Sequence, residues 1–92
     1  MHPAIPSIVK LAQRLIAPKK IWLFGSRARG TERPTSDIDL AFEFANTEKW
    51  STFVAEVQEN APTLLDIDLV DMTSCSPELR EEILSTGKLL HG

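Results

Sequence analysis

The sequence predicts a small α+β domain, and three observations carry that expectation. Hydrophobic periodicity switches repeatedly between helical and strand spacing, in the order α-β-(loop)-β-α-β-α. Such a pattern gives a three-stranded sheet covered by helices, a fold of α+β or α/β layer type. Ninety-two residues with 42% hydrophobic and 25% charged content suit one globular domain, residues 1–92, with no room for a second core. Finally, no apolar run approaches the roughly 20 residues of a membrane span.

The elements follow in order. Ile8, Leu11, Ala12, Leu15 and Ile16 form a helical stripe, with Pro6 in the first turn and Pro18 ending it. Residues 20–24, KIWLF, read as a short buried strand that Gly25 breaks. Residues 36–44, SDIDLAFEF, alternate: Ile38, Leu40, Phe42 and Phe44 share one face, while Asp37, Asp39, Ala41 and Glu43 share the other. Trp50, Phe53, Val54 and Val57 make a second helical stripe, between an Asn46-Thr47 capping signal and Pro62. Residues 64–70, LLDIDLV, alternate again, with Asp66 and Asp68 opposite Leu65, Ile67 and Leu69. Ser76-Pro77-Glu78 starts a last helix that runs to about Ser85 and ends at Gly87. Leu89-Leu90 is left as a short apolar tail.

Charge and cysteine content narrow the function classes. The net charge of −3 conceals an asymmetry: residues 1–33 hold seven Lys/Arg against one acid, and residues 34–92 hold three against twelve. A nucleic-acid-binding domain has an overall basic footprint, which this chain lacks. A basic segment feeding an acidic one suits a smaller anion held jointly by protein cations and metal. Cys75 is the only cysteine, so an internal disulfide and a cysteine-based zinc site are excluded, and a reducing cytoplasm fits. The first ten residues lack the basic and apolar regions of a signal peptide. His2 and His91 fall in termini expected to fray and are set aside.

Aspartate is disfavoured inside a strand, so Asp37 and Asp39 need a reason. Two apart on a strand, they present both carboxylates on one face. The pair repels itself unless something neutralises it. Mg²⁺ does so, since it takes one or two carboxylates together with substrate phosphates. Asp66 or Asp68 on another strand supplies a third ligand, and three carboxylates can hold two metals about 4 Å apart. One Asp-x-Asp alone reads more readily as a solvent-facing sheet edge; two pairs in consecutive strands weaken that reading. Gly25-Ser26, at the end of a buried strand, suits an anion: glycine permits close backbone approach, and exposed amides bind phosphate. Arg27 and Arg29 bring cations there. For Gly-Ser alone, a tight turn with solvated arginines explains as much.

Together these residues are far more specific. Gly25-Ser26, ten residues, then Asp37-Ile38-Asp39 resembles the Gly-Ser-x10-Asp-x-Asp signature of the DNA polymerase beta-like nucleotidyltransferase superfamily. The stretch FGSRARG…SDIDL, a strand like IDLVD and a closing helix SPELREEILSTGKLL are similar to the minimal nucleotidyltransferases. These are small proteins often encoded beside a helical HEPN-type partner. The resemblance covers roughly residues 5–92. It implies a nucleotidyltransferase fold with a small mixed sheet, Gly25 and Ser26 on the triphosphate of ATP, and Asp37 and Asp39 on two Mg²⁺ ions. Asp68 is implied as the third acid, also touching one metal and helping to deprotonate the acceptor. It is preferred over Asp66 because family strands place that acid inside an apolar run, here Ile67-Asp68-Leu69-Val70. Arg27 and Arg29 become phosphate contacts, or surface ion pairs.

A chain this short has no second domain to grip an acceptor. The resemblance therefore implies that another chain brings it. The expected activity is AMP transfer from ATP to a hydroxyl, by analogy a tyrosine, of a HEPN-type toxin, so that this chain acts as antitoxin. Two alternatives stand beside it: a non-catalytic module that neutralises its partner by covering it, and transfer to a small molecule with a separate substrate-binding subunit.

Overall fold

The computed structural model describes residues 1–92. It contains α1 (Ala4–Leu15), β1 (Lys20–Phe24), α2 (Ser26–Arg29), β2 (Ile38–Glu43), α3 (Trp50–Asn60), β3 (Ile67–Asp71), α4 (Pro77–Thr86) and β4 (Lys88–His91). The strands form one mixed sheet in the order β3-β2-β1-β4. β1 is antiparallel to both β2 and β4, whereas β2 and β3 run parallel. No helix is long and apolar enough to cross a membrane.

The expected three strands are four. The Leu89-Leu90 tail is β4, which lies along β1 with Leu89 opposite Trp22 and Lys88 opposite Leu23. Its sequence hides it, because four residues are too few to show alternation and only Gly87 separates them from α4. That turn needs glycine: a Cβ at residue 87 would overlap the Ile83 carbonyl oxygen. Both terminal histidines meet partners. His2 Nδ1 accepts a hydrogen bond from the Ala4 amide at 3.0 Å, satisfying a free donor at the start of α1. His91 lies in β4 beside Gln13, with 3.3 Å between its Nδ1 and the amide nitrogen of Gln13.

Strand alternation sorts the core onto two faces. Ile21, Leu23, Ile38, Leu40, Phe42 and Ile67 pack against α1 and α3 in a cluster of 14 buried residues. Phe42 meets Phe53 edge-on with ring centroids 5.1 Å apart, and Trp50 stacks on Phe44 at 5.0 Å. The other face is thinner. There Trp22, Phe24, Ala41, Met72 and Ile83 form a cluster of five, with α4 as its lid. Ser76 caps that helix, its Oγ accepting from the Leu79 amide at 3.2 Å. By contrast, the Asn46 side chain closes a turn onto Glu48 ahead of α3, and the helix cap at Lys49 makes no side-chain hydrogen bond.

Candidate active site

Strand register decides which acids meet. β1 pairs Phe24 with Asp39, and β2 pairs Asp39 with Asp68. Residues directly across a sheet share a face, so Phe24, Asp39 and Asp68 form a row on the α4 side. One step along each strand, Ala41 is buried and Val70 is packed beneath the α4 cluster. The aspartates stand at the end that α4 leaves open.

Asp39 is half-buried, and its pKa is raised from 3.8 to about 6. Burial is the largest cause, followed by a side-chain hydrogen bond with Asp68 and by repulsion from the charges of Asp68 and Asp37. Arg29 opposes the shift. Carboxyls crowded in this way repel one another, and a cation bound between them would relieve that repulsion.

Asp37 precedes β2, exposed, and acts on Asp39 through its charge. Asp66 also precedes its strand. Its backbone carbonyl accepts the Ile38 amide at 2.9 Å, and its exposed side chain is not among the groups acting on Asp39. Asp71 is turned to structure, its Oδ1 accepting from both the amide and the hydroxyl of Thr73.

Gly25 ends β1 with φ of 73° and ψ of −155°, a region that side chains rarely enter. A Cβ there would overlap Asp39 Oδ2 and lie 3.1 Å from its Cγ. Glycine is thus required twice, by its dihedrals and by the carboxylate against it. The gap that it leaves puts backbone and Asp39 on one small cradle. Ser26 opens α2, and its carbonyl accepts the Thr31 amide at 3.0 Å, which folds the chain back after Gly30.

The two arginines part company. Arg29 is exposed, with its charge felt at Asp39. Arg27 instead donates to the Ser36 carbonyl from Nε at 3.3 Å and from a terminal guanidinium nitrogen at 3.0 Å. That contact was not visible in the sequence, because a nine-residue spacing acquires meaning only from the path of the loop between.

The donor set suits a hard divalent cation that completes its shell with ligand oxygens: carboxylates only, two of them face to face, and a neighbouring glycine. No three His, Cys, Asp or Glu side chains close into a ready-made cage. The largest cavity, about 490 Å³, lies away from these acids, between Ser7, Lys10 and Arg14 of α1 and Glu56 and Asn60 of α3. It belongs to the opposite face. The acid row, at the end of the sheet that α4 leaves open, is therefore the candidate site.

Known proteins resemble this arrangement. The family described as Polymerase beta, Nucleotidyltransferase matches residues 7–92. The protein adenylyltransferase MntA of Shewanella oneidensis is 37% identical over 78 residues, 78% of this chain and 52% of its own length. The chain thus spans about half of that relative. Among solved structures, a chain of a toxin–antitoxin crystal structure with AMP-PNP superposes with a TM-score of 0.72 at 34% identity, covering 95% of this chain and 72% of its own. A chain from the complex of tri-AMPylated Shewanella oneidensis HEPN toxin with MNT antitoxin gives 0.65 at 29% identity, covering 97% and 70%.

Proposed function

Because the chain belongs to the polymerase beta nucleotidyltransferase family, we propose that it transfers AMP from ATP to a hydroxyl of a HEPN-type partner protein and thereby acts as an antitoxin. Tyrosine is the expected acceptor. The observation that carries this reading is the Asp39–Asp68 pair, set in register across parallel strands beside the gap at Gly25.

Each residue then has a task. The Gly25-Ser26 turn receives the triphosphate through backbone amides and the Ser26 hydroxyl, and Arg29 adds a cation. Asp37, Asp39 and Asp68 would hold Mg²⁺. When bound, the metal neutralises the carboxylates and phosphates and lowers the barrier to attack at phosphorus. Asp68, exposed at the mouth of the site, accepts the proton of the attacking hydroxyl. That oxygen bonds to the α-phosphorus as the bond to the β-phosphate oxygen breaks, and pyrophosphate leaves.

An open sheet face exposes the reacting atoms to water. Transfer depends on positioning and on preorganised charge, so a docked partner must exclude water and align its hydroxyl. The names of the relatives fit that division of labour.

The test is to incubate the purified chain with the HEPN-type protein encoded beside it, Mg²⁺ and each nucleoside triphosphate in turn, and to weigh both proteins. The partner should gain whole AMP units from ATP. Transfer to neither protein, with the partner nonetheless neutralised by binding, would replace catalysis with occlusion.

A further inference from the structure

The sequence sets two arginines after Gly25-Ser26, and the structure gives them different surroundings. Arg27 lines a small crevice of about 140 Å³ with Ile5, Leu23 and Lys88. Ile5 and Leu23 belong to the α1 face of the sheet, whereas Asp39 and Phe24 stand on the other. From that side Arg27 grips the Ser36 carbonyl with two hydrogen bonds.

Ser36 is held from within its own loop as well. Its Oγ accepts the Arg33 amide at 2.8 Å, and its own amide donates to the Arg33 carbonyl at 3.0 Å. The next residue is Asp37. We propose that Arg27 is a positioning residue: by fastening Ser36 to α2 it fixes where Asp37 enters β2, and so sets the cation-holding acids against the Gly25-Ser26 turn, without itself contacting nucleotide.

Physical grounds support this assignment. A planar guanidinium that donates twice to one carbonyl is pre-organised and charge-assisted. Residues 30–36 lie in no helix or strand, so their end would otherwise be free to shift. Groups behind a metal ligand govern its placement, and their loss typically weakens metal binding about 10- to 100-fold. The cation whose charge is felt at Asp39 is Arg29.

The inference rests on the proposed reading of the acids as a metal site, and its test separates the two. Mn²⁺ binding to the chain alone is measured by electron paramagnetic resonance, and ATP binding in EDTA by equilibrium dialysis. Arg27→Gln should weaken Mn²⁺ roughly tenfold while leaving metal-free ATP binding unchanged. Arg27→Lys, which keeps the charge and loses the fork, should recover only part of that loss. Arg29→Gln should do the reverse, weakening ATP and sparing Mn²⁺.

Arg27 variants that lose ATP binding in EDTA and keep Mn²⁺ would make Arg27 a phosphate ligand and overturn the inference. Wild-type Mn²⁺ affinity in both variants would overturn it alone. Collapse of both variants in far-UV circular dichroism would also overturn it, by making Arg27 a residue that holds the fold. A wild-type chain that binds no Mn²⁺ would remove the inference together with the metal-site reading.

Discussion

The two faces of the sheet are built to different standards. Against α1 and α3, 14 buried side chains, all apolar, interlock around Phe42 and Phe53. Against α4 only five do so, and the same face carries Asp39 and Asp68 where the lid ends. Burying an ionisable group costs stability unless it is paired or neutral. The chain concentrates apolar burial on one face and leaves the other able to tolerate repelling acids. The candidate site sits on the face that contributes less to folding.

The largest test of that division is Asp39→Asn. It removes charge from the row while keeping its shape. Transfer to the partner should fall by several kcal/mol of barrier, on the order of 10³-fold, in the intact-mass assay. The fold should survive. At pH 7 and without metal the variant should melt no lower than wild type, because the neutral amide removes the repulsion that ionised Asp39 meets from Asp68 and Asp37. A variant that unfolds would mean that the acid row supports the fold after all.

Core truncation should show the opposite bias. Phe53 is fully buried within the aromatic group, so Phe53→Ala should cost about 3–5 kcal/mol and threaten the whole domain. Ile83, also fully buried, lies under the thinner lid. Its alanine variant should cost about 2 kcal/mol, near the low end for such a change. Urea titrations of both variants measure the contrast. Equal losses would erase the difference between the faces.

Stability should also depend on pH in a direction that Asp39 sets. Folded Asp39 holds its proton to about 6, against 3.8 for the ordinary group. The folded state therefore binds more protons than the unfolded chain across that interval, and stability falls as pH rises through it. In metal-free buffer the contribution of Asp39 is full below about 4 and gone above about 6. Differential scanning calorimetry of wild type against Asp39→Asn isolates it: the difference in Tm should open between these two values. Mg²⁺ should narrow it above pH 6 by replacing the proton.

Asp66→Asn is the smallest expected effect. Its carbonyl serves the sheet and its side chain is exposed, so stability should change by less than about 0.5 kcal/mol. Most transfer activity should remain, whereas Asp68→Asn should abolish it. A dead Asp66→Asn enzyme with wild-type melting would bring Asp66 into the acid row and redraw the open end of that face.

Much of this molecule is local, and local features are legible in sequence. Helical stripes, alternating strands, the serine cap of α4 and the Gly25 break all express spacings of two to four residues. The alternation around Asp39 does so too, although β2 begins at Ile38 and leaves Asp37 just ahead of the strand. The motif Gly-Ser-x10-Asp-x-Asp was enough to suggest the family, because its spacing spans a turn and the strand beside it.

What remained hidden depends on residues far apart in the chain. β4 becomes a strand only because β1 offers it an edge; alone, four residues with two leucines in the middle show no period. The resemblance already preferred Asp68 to Asp66, but the physical reason is tertiary: parallel register sets 67 opposite 38 and 68 opposite 39. Arg27 and Arg29 look equivalent in sequence, yet the loop that returns Ser36 to α2 engages one and leaves the other exposed. The raised pKa of Asp39 likewise comes first from burial, then from Asp68 on the flanking strand and from the charge of Asp37. Sequence periodicity sets which way a side chain points along its own element. Only tertiary pairing decides what stands opposite it, since that choice is made by contacts whose spacing in the chain carries no period.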